Sequence, residues 1–488
     1  MRSGGNAFDA VIAAVFTACV VEPMLCSLGG GGFLLARNHG QTPRLIDFFT
    51  QTPGAQFDGE PDFYPIMGNF GKQLQEFHIG LGSMAVPGVV RGLLHIHERY
   101  ARMPLADLMA PAIEYARLGV ELNAMQAYTL DILKPIVEAG AACRSIFFEA
   151  GEVKKEGDRT LMPEFANFLE ALGREGADLF YAGEPARQIV KDCRHKGGHL
   201  SLPDLANYAV IERDPIAWTF SKSKIWSNPP PSSGGLLIAY ATRLFETAMA
   251  KDDQGQQALV KNFILAQAEA NKLRGSEDLV PEELLSDSNI REVLTHANTG
   301  GFESNRGTTH ISIIDAETNA ASLTVSNGEG CGYIVPGTGI IMNNMLGEED
   351  LNPDGFGRWP PNQRLRSMMS PTIAEGDRGQ MLVLGSGGSN RIRSTLFQTL
   401  VRRVYLGQPL QKVILSPRLH LEGDLLNVED FDWPDETRAW MMEQFPQHQL
   451  WPEPNLFFGG VHSVEYDPAT GDLNGFGDPR RGGHFQVG

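Results

Sequence analysis

A threonine that follows a glycine and opens a strand-like run is the first candidate for chemistry in this sequence. Thr308 follows Gly307 and precedes the alternating run Thr309–Asp315. Such a hydroxyl can attack the preceding carbonyl, so that an N–O acyl shift forms an ester whose hydrolysis frees a new N-terminus. Glycine before the scissile bond permits a strained backbone and leaves room for attack. The freed α-amine, with a pKa of about 8, then serves as the base for a hydroxyl that is otherwise a poor nucleophile.

A glycine-rich turn between a predicted strand and a predicted helix is the second candidate. The strand Gln380–Leu384 ends in Gly385–Gly388, and a helix follows from about Arg391 to Tyr405. Backbone N–H groups at such a turn are free to bind negative charge, which is what an oxyanion hole for acyl transfer requires. In isolation a purely structural role is as good an interpretation of this turn, and a structural role is the commoner one for Gly-Thr before a strand. Ser386 as a serine nucleophile is a weaker alternative, because the turn lacks the GxSxG order.

The sequence gives little support for phosphate, metal or nucleic-acid binding. There is no phosphate loop and no HExxH motif, and a glycine-only run at Gly29–Gly32 is weak evidence for phosphate binding. Five scattered cysteines without CxxC spacing predict buried thiols and neither a disulfide framework nor a zinc site. The net charge of −18 argues against nucleic acid as a partner. We therefore predict no metal, no cofactor and no nucleic acid.

Hydrophobic periodicity predicts a mixed α/β enzyme, with helices concentrated before residue 300 and strands after it. The segment 50–80 is expected to be irregular because it is rich in Gly, Pro and Gln. The apolar stretch Ala7–Val21 contains Asp9 and ends in Glu22-Pro23, so it predicts a buried helix and neither a signal peptide nor a membrane span. As it reads, the chain is cytoplasmic; a longer start carrying a signal would make it periplasmic or secreted. The predicted helices are Ala7–Val21, Val89–Tyr100, Leu105–Leu118 and Leu236–Thr247, and the predicted strands include Phe33–Arg37, Arg44–Phe48, Tyr208–Ile211 and Ala320–Ser326.

Short motifs spread in order over nearly the whole chain resemble those of the γ-glutamyltransferase family. They are Gly5–Ala10, Ser27–Phe33, Pro87-Gly88, Pro230–Gly235, Thr308–His310, Pro336–Gly339, Asn343-Asn344, Ser370–Ile373 and Gly385–Ser389. The resemblance implies an α/β fold of the N-terminal nucleophile hydrolase type, a four-layer αββα sandwich. It also implies a precursor that splits into a large subunit, residues 1–307, and a small catalytic subunit, residues 308–488.

The resemblance also implies roles for individual residues. Thr308 matches the nucleophile, and Ser326 matches a hydroxyl that hydrogen-bonds it. Gly387 and Gly388 match the pair whose backbone stabilises the oxyanion. For substrate binding, the matching positions hold Ser367, Asn327 and Glu348, of which the first is for the donor's α-carboxylate and the others for its α-amine.

Three positions depart from the family pattern. Phe49 stands where the family has an arginine for the substrate carboxylate, Met368 replaces a second serine, and Met345 replaces a polar residue for the α-amine. Arg44 is a candidate substitute for the missing arginine. Since a guanidinium pairs with carboxylate through two hydrogen bonds, these changes predict intact catalytic machinery with an altered recognition pocket.

The sequence therefore predicts a γ-glutamyltransferase or glutathione hydrolase that self-cleaves at Gly307-Thr308. Its donor would be a γ-glutamyl amide such as glutathione, and the acyl group would pass to water, an amino acid or a peptide. Its obligate partner would be its own second fragment. Two alternatives remain open: an acylase of the same fold acting on glutaryl or other acyl amides, as in cephalosporin acylases, and an unprocessed, inactive member that serves as a binding protein.

Overall fold

The chain forms two compact units. The computed structural model describes residues 1–69, 74–251, 255–276, 279–296, 308–352 and 354–488. Unit 1 contains Met1–Arg213 and Arg306–Leu365 with Gly488, and unit 2 contains Asp214–Asn305 and Arg366–Val487. Each unit takes chain from both sides of Thr308, so the units do not coincide with the two predicted subunits.

Unit 1 is built on a five-stranded antiparallel sheet. The inner strand Ala320–Ser326 is buried along its whole length, because neighbouring strands cover both of its edges and apolar side chains cover its faces. The strand order is Thr309–Ile314, Ala320–Ser326, Gly31–Arg37, Arg44–Phe48 and Ile211–Arg213. Four two-stranded ribbons complete the β-structure of the unit: Tyr64–Asn69 with Leu74–Ile79, Val120–Glu121 with Arg159–Thr160, Phe148–Glu149 with Glu152–Val153, and Ile334–Val335 with Ile340–Ile341.

The helix Ala7–Val21 has the predicted bounds and lies in the main apolar core of unit 1. Its start is set by a capping box: the side chain of Asn6 accepts from the backbone N–H of Asp9, while the Asp9 carboxylate accepts from Asn6 N–H. The other helices of the unit are Val89–Tyr100, Leu105–Leu118, Ala124–Ile132, Lys134–Ala139, Ala141–Phe147, Pro163–Glu175, Asp178–Tyr181, Glu184–Lys196 and Leu202–Ala206, with 3₁₀ turns at Leu81–Ser83, Met345–Gly347 and Glu349–Leu351.

The glycine run before the strand Gly31–Arg37 is explained by close packing. A Cβ on Gly30 would lie 2.2 Å from the carbonyl oxygen of Ser326, and one on Gly29 would lie 2.3 Å from that of Ile341. These backbones can approach only where side chains are missing. The glycines therefore allow close backbone packing in the sheet, which agrees with the weak evidence for phosphate binding.

Unit 2 is built on a six-stranded antiparallel sheet in the order Ile216–Phe220, Ser223–Ser227, Thr372–Glu375, Met381–Gly387, Gly460–Asp467 and Asp472–Gly477. A smaller sheet contains Leu419–Glu422, Leu425–Glu429 and His448–Trp451. The helices are Gly234–Met249, Gln256–Lys272, Pro281–Leu284, Asp287–His296, Arg391–Leu400, Leu410–Leu415 and Asp435–Gln444, with short turns at Val401–Tyr405 (π), Leu456–Phe458 and Pro479–Arg481.

The mixed α/β class is confirmed, and three local predictions need correction. The segment 50–80 contains the ribbon Tyr64–Asn69 with Leu74–Ile79, although its composition predicted irregular chain. The strand predicted at Tyr208–Ile211 lies at Ile211–Arg213, because Tyr208 turns its hydroxyl to the carbonyl of Phe49. The helix that starts at Arg391 changes to a π turn after Leu400.

All five cysteines are buried and none is in a disulfide, which confirms the prediction of buried thiols. Within the described part of the chain, no helix has both the length and the apolar character needed to cross a bilayer.

Candidate active site

Thr308 lies at the start of the edge strand of the unit 1 sheet. It is 5% exposed and directly precedes the strand Thr309–Ile314. That strand pairs with Ala320–Ser326 in a register that sets Thr309 opposite Val325. One step further in the same register, Thr308 is opposite Ser326. The predicted cleavage partner Gly307 lies outside the described residues.

Ser326 ends the inner strand Ala320–Ser326 and is buried. Its hydroxyl oxygen accepts a hydrogen bond from the backbone N–H of Gly328 at 3.0 Å, and on the other side of the strand it pairs with Gly31. These contacts fix a hydroxyl directly across the ladder from Thr308. The sheet therefore brings together the two residues that the sequence predicts as nucleophile and supporting hydroxyl.

The turn after Ser326 carries the residues predicted to bind the donor's amine. Asn327 is fully buried, and neither its amide nitrogen nor its amide oxygen has a hydrogen-bond partner among the described residues. Gly328 has φ +64°, and a Cβ there would lie 2.0 Å from Asn344 Oδ1 and 2.3 Å from Glu348 Oε1. Glycine is thus required for Glu348 and Asn344 to lie against this turn. A buried amide without partners beside a buried carboxylate is typical of a ligand site.

Two further polar residues of this cluster, Glu329 and Asn344, were given no role by the sequence analysis. Glu329 is buried, and its backbone N–H donates to Asn344 Oδ1 at 3.0 Å. The Asn344 amide nitrogen lies 3.5 Å from Glu329 Oε2. The buried Asp350 lies two residues beyond Glu348. The sequence did point to both residues, since Asn344 belongs to the motif Asn343-Asn344 and Glu329 is three residues from Ser326.

Glu22 is a third residue that sequence reasoning missed. It follows the helix Ala7–Val21, and its Oε2 accepts a hydrogen bond from Thr309 Oγ1 at 2.9 Å. The contact joins residues 287 positions apart and fixes the residue next to the candidate nucleophile. No local pattern in the sequence signals it.

The position where the family has an arginine is occupied by a buried aromatic ring. Phe49 stacks on Phe33 with centroids 5.2 Å apart. Its carbonyl accepts from Tyr208 Oη at 2.7 Å and from Arg364 Nη1 at 2.6 Å. Burial raises the pKa of Tyr208, which keeps the phenol protonated as a donor. Arg364 is also 3.2 Å from Asp47, so its guanidinium serves the structure around Phe49.

Arg44 lies at the other end of the strand Arg44–Phe48 from Phe49. It is exposed and pairs across the sheet with Ala36. At ~3.3 Å per residue, the two backbone positions are roughly 16 Å apart. The structure therefore does not bring Arg44 to the Phe49 position, and its role in substrate binding stays a prediction. Met345, the other departure in this unit, is a buried core residue.

In unit 2, one predicted oxyanion glycine, Gly387, ends a strand, and the other, Gly388, follows it. The strand Met381–Gly387 runs three residues beyond the predicted end, and Gly387 pairs with Gly460. Gly388 is the first residue after the strand and has φ +116°; a Cβ there would lie 2.8 Å from Gly459 Cα. Only glycine fits both the conformation and the space. The neighbouring Ser386 is buried and donates its hydroxyl to the Gly387 carbonyl at 2.7 Å, which disfavours it as a nucleophile.

Ser367 is buried in unit 2 and anchors the proline-rich loop. Its carbonyl accepts from Ser232 Oγ at 2.8 Å and from the N–H of Ser233 at 3.1 Å, and its hydroxyl oxygen accepts from Met369 N–H at 3.1 Å. The sulfur of Met368 accepts from the Ser233 hydroxyl at 3.4 Å. The second serine of the family pattern is thus replaced by a thioether in the same local network.

The described residues contain no group of three or more His, Cys, Asp or Glu side chains arranged to hold a metal ion. What unit 1 does assemble is a pair of hydroxyls, an amide and buried carboxylates. That set is suited to acyl transfer and to binding a cationic group, as these functions need a nucleophile, hydrogen-bond donors and fixed negative charge.

Comparisons with known proteins show the family to which the chain belongs. The family model described as gamma-glutamyltranspeptidase matches residues 1–487. The glutathione hydrolase proenzyme of Escherichia coli K12 is 29% identical, covering 98% of this chain and 87% of that protein. The acylase ACY 1 proenzyme of Pseudomonas sp. strain V22 is 26% identical, covering 97% and 88%.

Among solved structures, the cephalosporin acylase of Bacillus halodurans superposes with a TM-score of 0.85, at 23% identity and with 99% and 91% of the two chains covered. This likeness shows that the chain shares the fold of that acylase. The family model spans nearly every residue, in agreement with the motifs that run through the chain. The chain belongs to the γ-glutamyltranspeptidase family of enzymes.

Proposed function

We propose that the chain is an amidohydrolase and acyltransferase with Thr308 as its N-terminal nucleophile. The Thr308 hydroxyl attacks the amide carbonyl, the C–N bond breaks, and an ester forms on Thr308 Oγ. The α-amine of Thr308 accepts the hydroxyl proton and returns it to the leaving amine. Water, an amino acid or a peptide then attacks the ester and regenerates Thr308. The observation that carries this proposal is the placement of Thr308 opposite Ser326 at the start of the sheet.

The nucleophile becomes N-terminal through self-cleavage between Gly307 and Thr308. The products would be residues 1–307 and residues 308–488. Strand pairing supports their remaining together, because Gly31–Arg37 of the first fragment pairs along its whole length with Ala320–Ser326 of the second. Seven backbone pairs in a buried sheet would hold the two fragments as a heterodimer.

The acyl donor is a γ-glutamyl amide such as glutathione. Asn327, Glu329 and Glu348 supply buried acceptors beside Ser326, and fixed carboxylates favour the α-ammonium of such a donor. Gly387 and Gly388 would bind the oxyanion with backbone N–H groups, and Ser367 would bind the α-carboxylate. The E. coli relative, a glutathione hydrolase by name, supports this choice of donor.

The second candidate is an acylase that acts on glutaryl amides or other acyl amides. It is favoured by Phe49, which places a buried ring where a carboxylate-binding arginine is expected, and by Met368 in place of a serine. The acylase relative from Pseudomonas supports the same candidate. An uncleaved, inactive binding protein is the third possibility.

Paired chromogenic substrates test the two enzymatic candidates. A γ-glutamyl anilide carries an α-ammonium, whereas a glutaryl anilide of the same length has none. We expect the natural protein to hydrolyse the γ-glutamyl anilide with the higher kcat/KM, and Thr308→Ala to hydrolyse neither. Glu348→Gln should raise KM for the γ-glutamyl substrate by about tenfold and leave that for the glutaryl substrate unchanged. Preference for the glutaryl substrate, with no effect of Glu348→Gln, would favour the acylase.

A further inference from the structure

A small cavity lies in unit 2. Its walls come from the helices Gly234–Met249, Gln256–Lys272 and Arg391–Leu400 and from the strand Leu419–Glu422. The cavity has room for about one water-sized particle. Its polar lining consists of Gln267, Asn271, Asn390, Arg393, Ser394 and His420.

Two of the residues that line this cavity carry buried nitrogen atoms without hydrogen-bond partners among the described residues. Arg393 is 6% exposed, and its Nε and Nη1 have no partner among the described residues. The Gln267 amide oxygen accepts from Leu421 N–H at 3.2 Å, which fixes the amide orientation, and within the same described set its Nε2 is also unpartnered. Unsatisfied buried N–H groups are rare in folded proteins and point to an unseen ligand or water.

The charge around the cavity favours a charged ligand over a water molecule. Arg391 and Arg274 act electrostatically on the same cluster, and among the described residues Glu422 is a carboxylate that acts on it, with its Oε2 3.6 Å from His420 Nε2. Burial, and then repulsion from Arg274, lowers the pKa of Arg393 to about 9 against the attraction of Glu422. A buried guanidinium with too little negative charge beside it is costly. A water molecule would satisfy the donors, whereas an anion would also bring negative charge to the buried guanidinium of Arg393.

We infer that this cavity binds a small monovalent inorganic anion of the halide class, held by the N–H groups of Arg393 and Gln267. Its size favours a single-atom anion over a phosphate or a carboxylic acid. Asn390 lines the same cavity and stands two residues after Gly388, so the bound anion would stabilise the segment that carries the predicted oxyanion glycines. The inference is independent of the proposed substrate and of Thr308.

Crystals of the natural protein grown or soaked in bromide provide the first test. We expect an anomalous peak in the cavity within hydrogen-bond distance of Arg393 Nε or Nη1 and of Gln267 Nε2. Density for water alone, or for a protein side chain filling the cavity, would overturn the inference. This measurement needs no variant, so it is unaffected by any folding defect.

Thermal unfolding in chloride and in gluconate, at equal ionic strength, provides the second test. For the natural protein we expect a midpoint about 2 °C higher in chloride, since a ligand that binds only the folded state raises the midpoint. Arg393→Met should lose the difference. Arg402→Met should keep it, because Arg402 is equally buried in the same unit, donates to the carbonyl of Pro417 and does not line the cavity. Equal midpoints of the natural protein in the two salts would contradict the inference.

Discussion

Glu22 Oε2 accepts a hydrogen bond from Thr309 Oγ1 at 2.9 Å, at the residue next to the candidate nucleophile. Glu22 directly follows the helix Ala7–Val21, whereas Thr309 begins the strand Thr309–Ile314. The contact therefore fixes the residue next to Thr308 from outside its own strand. This makes Glu22 a positioning residue, which acts on Thr308 through Thr309.

Removal of this contact should impair turnover more than binding. We expect Glu22→Ala to lower kcat by about tenfold, or about 1.4 kcal/mol, with little change in KM, because the hydrogen bond orients the nucleophile and does not touch the substrate. Thr309→Val should have a similar effect, and the double variant should be no worse than either single one. Additive losses in this cycle would show that Glu22 does not act through Thr309.

Ser326 should contribute to catalysis through its hydroxyl. Ser326→Ala is expected to lower kcat by about 10- to 100-fold, since the hydroxyl opposite Thr308 is lost while the strand stays paired. Ser326→Thr, which keeps the hydroxyl, should retain most of the activity. Ser322→Ala on the same strand is the matched control, because Ser322 pairs with Ser312 and Leu35, far along the ladder from Thr308. Equal losses in the Ser322 and Ser326 variants would assign Ser326 a structural role only.

Gly388 should tolerate no side chain. Gly388 has φ +116°, and a Cβ there would lie 2.8 Å from Gly459 Cα. We therefore expect Gly388→Ala to destabilise the protein by about 2–4 kcal/mol and to abolish turnover. Gly407→Ala is the control, because Gly407 has φ +63° and open space around its Cβ position; that change should cost only about 1 kcal/mol. Chemical denaturation measures both, and a Gly388→Ala protein as stable as Gly407→Ala would contradict the packing argument.

The sequence predicted those parts of the fold that depend on local patterns. The helix Ala7–Val21 was predicted correctly, since an apolar run and a capping box of Asn6 with Asp9 determine it. The strand Arg44–Phe48 was also predicted with the correct bounds. The ribbon Tyr64–Asn69 with Leu74–Ile79 was missed, because its stability comes from cross-strand pairing in a Gly- and Pro-containing segment.

The candidate site also combines residues that the sequence predicts with contacts that depend on tertiary packing. Thr308 was predicted from the Gly-Thr pair before a strand together with the family resemblance, and Ser326 from the family resemblance; both roles stay predictions. The contact of Glu22 with Thr309, and the approach of Glu348 to Gly328, depend on tertiary packing between distant segments, and no spacing in the sequence encodes them. Arg44 was proposed because it is near Phe49 in sequence, whereas the extended strand carries it away.

Acid should destabilise unit 2 by protonating Asp478. This buried carboxylate is paired with Arg418 and is 3.3 Å from Arg480. Burial alone would raise the pKa of Asp478, but the two arginines outweigh it and hold the pKa below 3.8. Its contribution to stability is therefore complete above pH 3.8 and is lost as the pH falls through the lower, folded-state pKa.

Asp478→Asn should thus destabilise the protein near neutral pH by about 3 kcal/mol, because two buried arginines lose their counter-charge. The difference from the natural protein should shrink in strong acid. The exposed Asp472 in the same unit offers a control, since Asp472→Asn should have almost no effect at any pH. Unfolding midpoints measured from neutral to acid pH check this, and a difference that grows toward acid would contradict the assignment.

The most direct test of the account is the mass and N-terminal sequence of the purified protein under denaturing conditions. Self-cleavage at Gly307-Thr308 predicts two fragments, of which the smaller begins Thr308-Thr309-His310, and a Thr308→Ala protein that stays whole. A single uncut chain of 53.4 kDa from the natural sequence, or a small fragment that begins at another residue, would contradict Thr308 as the N-terminal nucleophile.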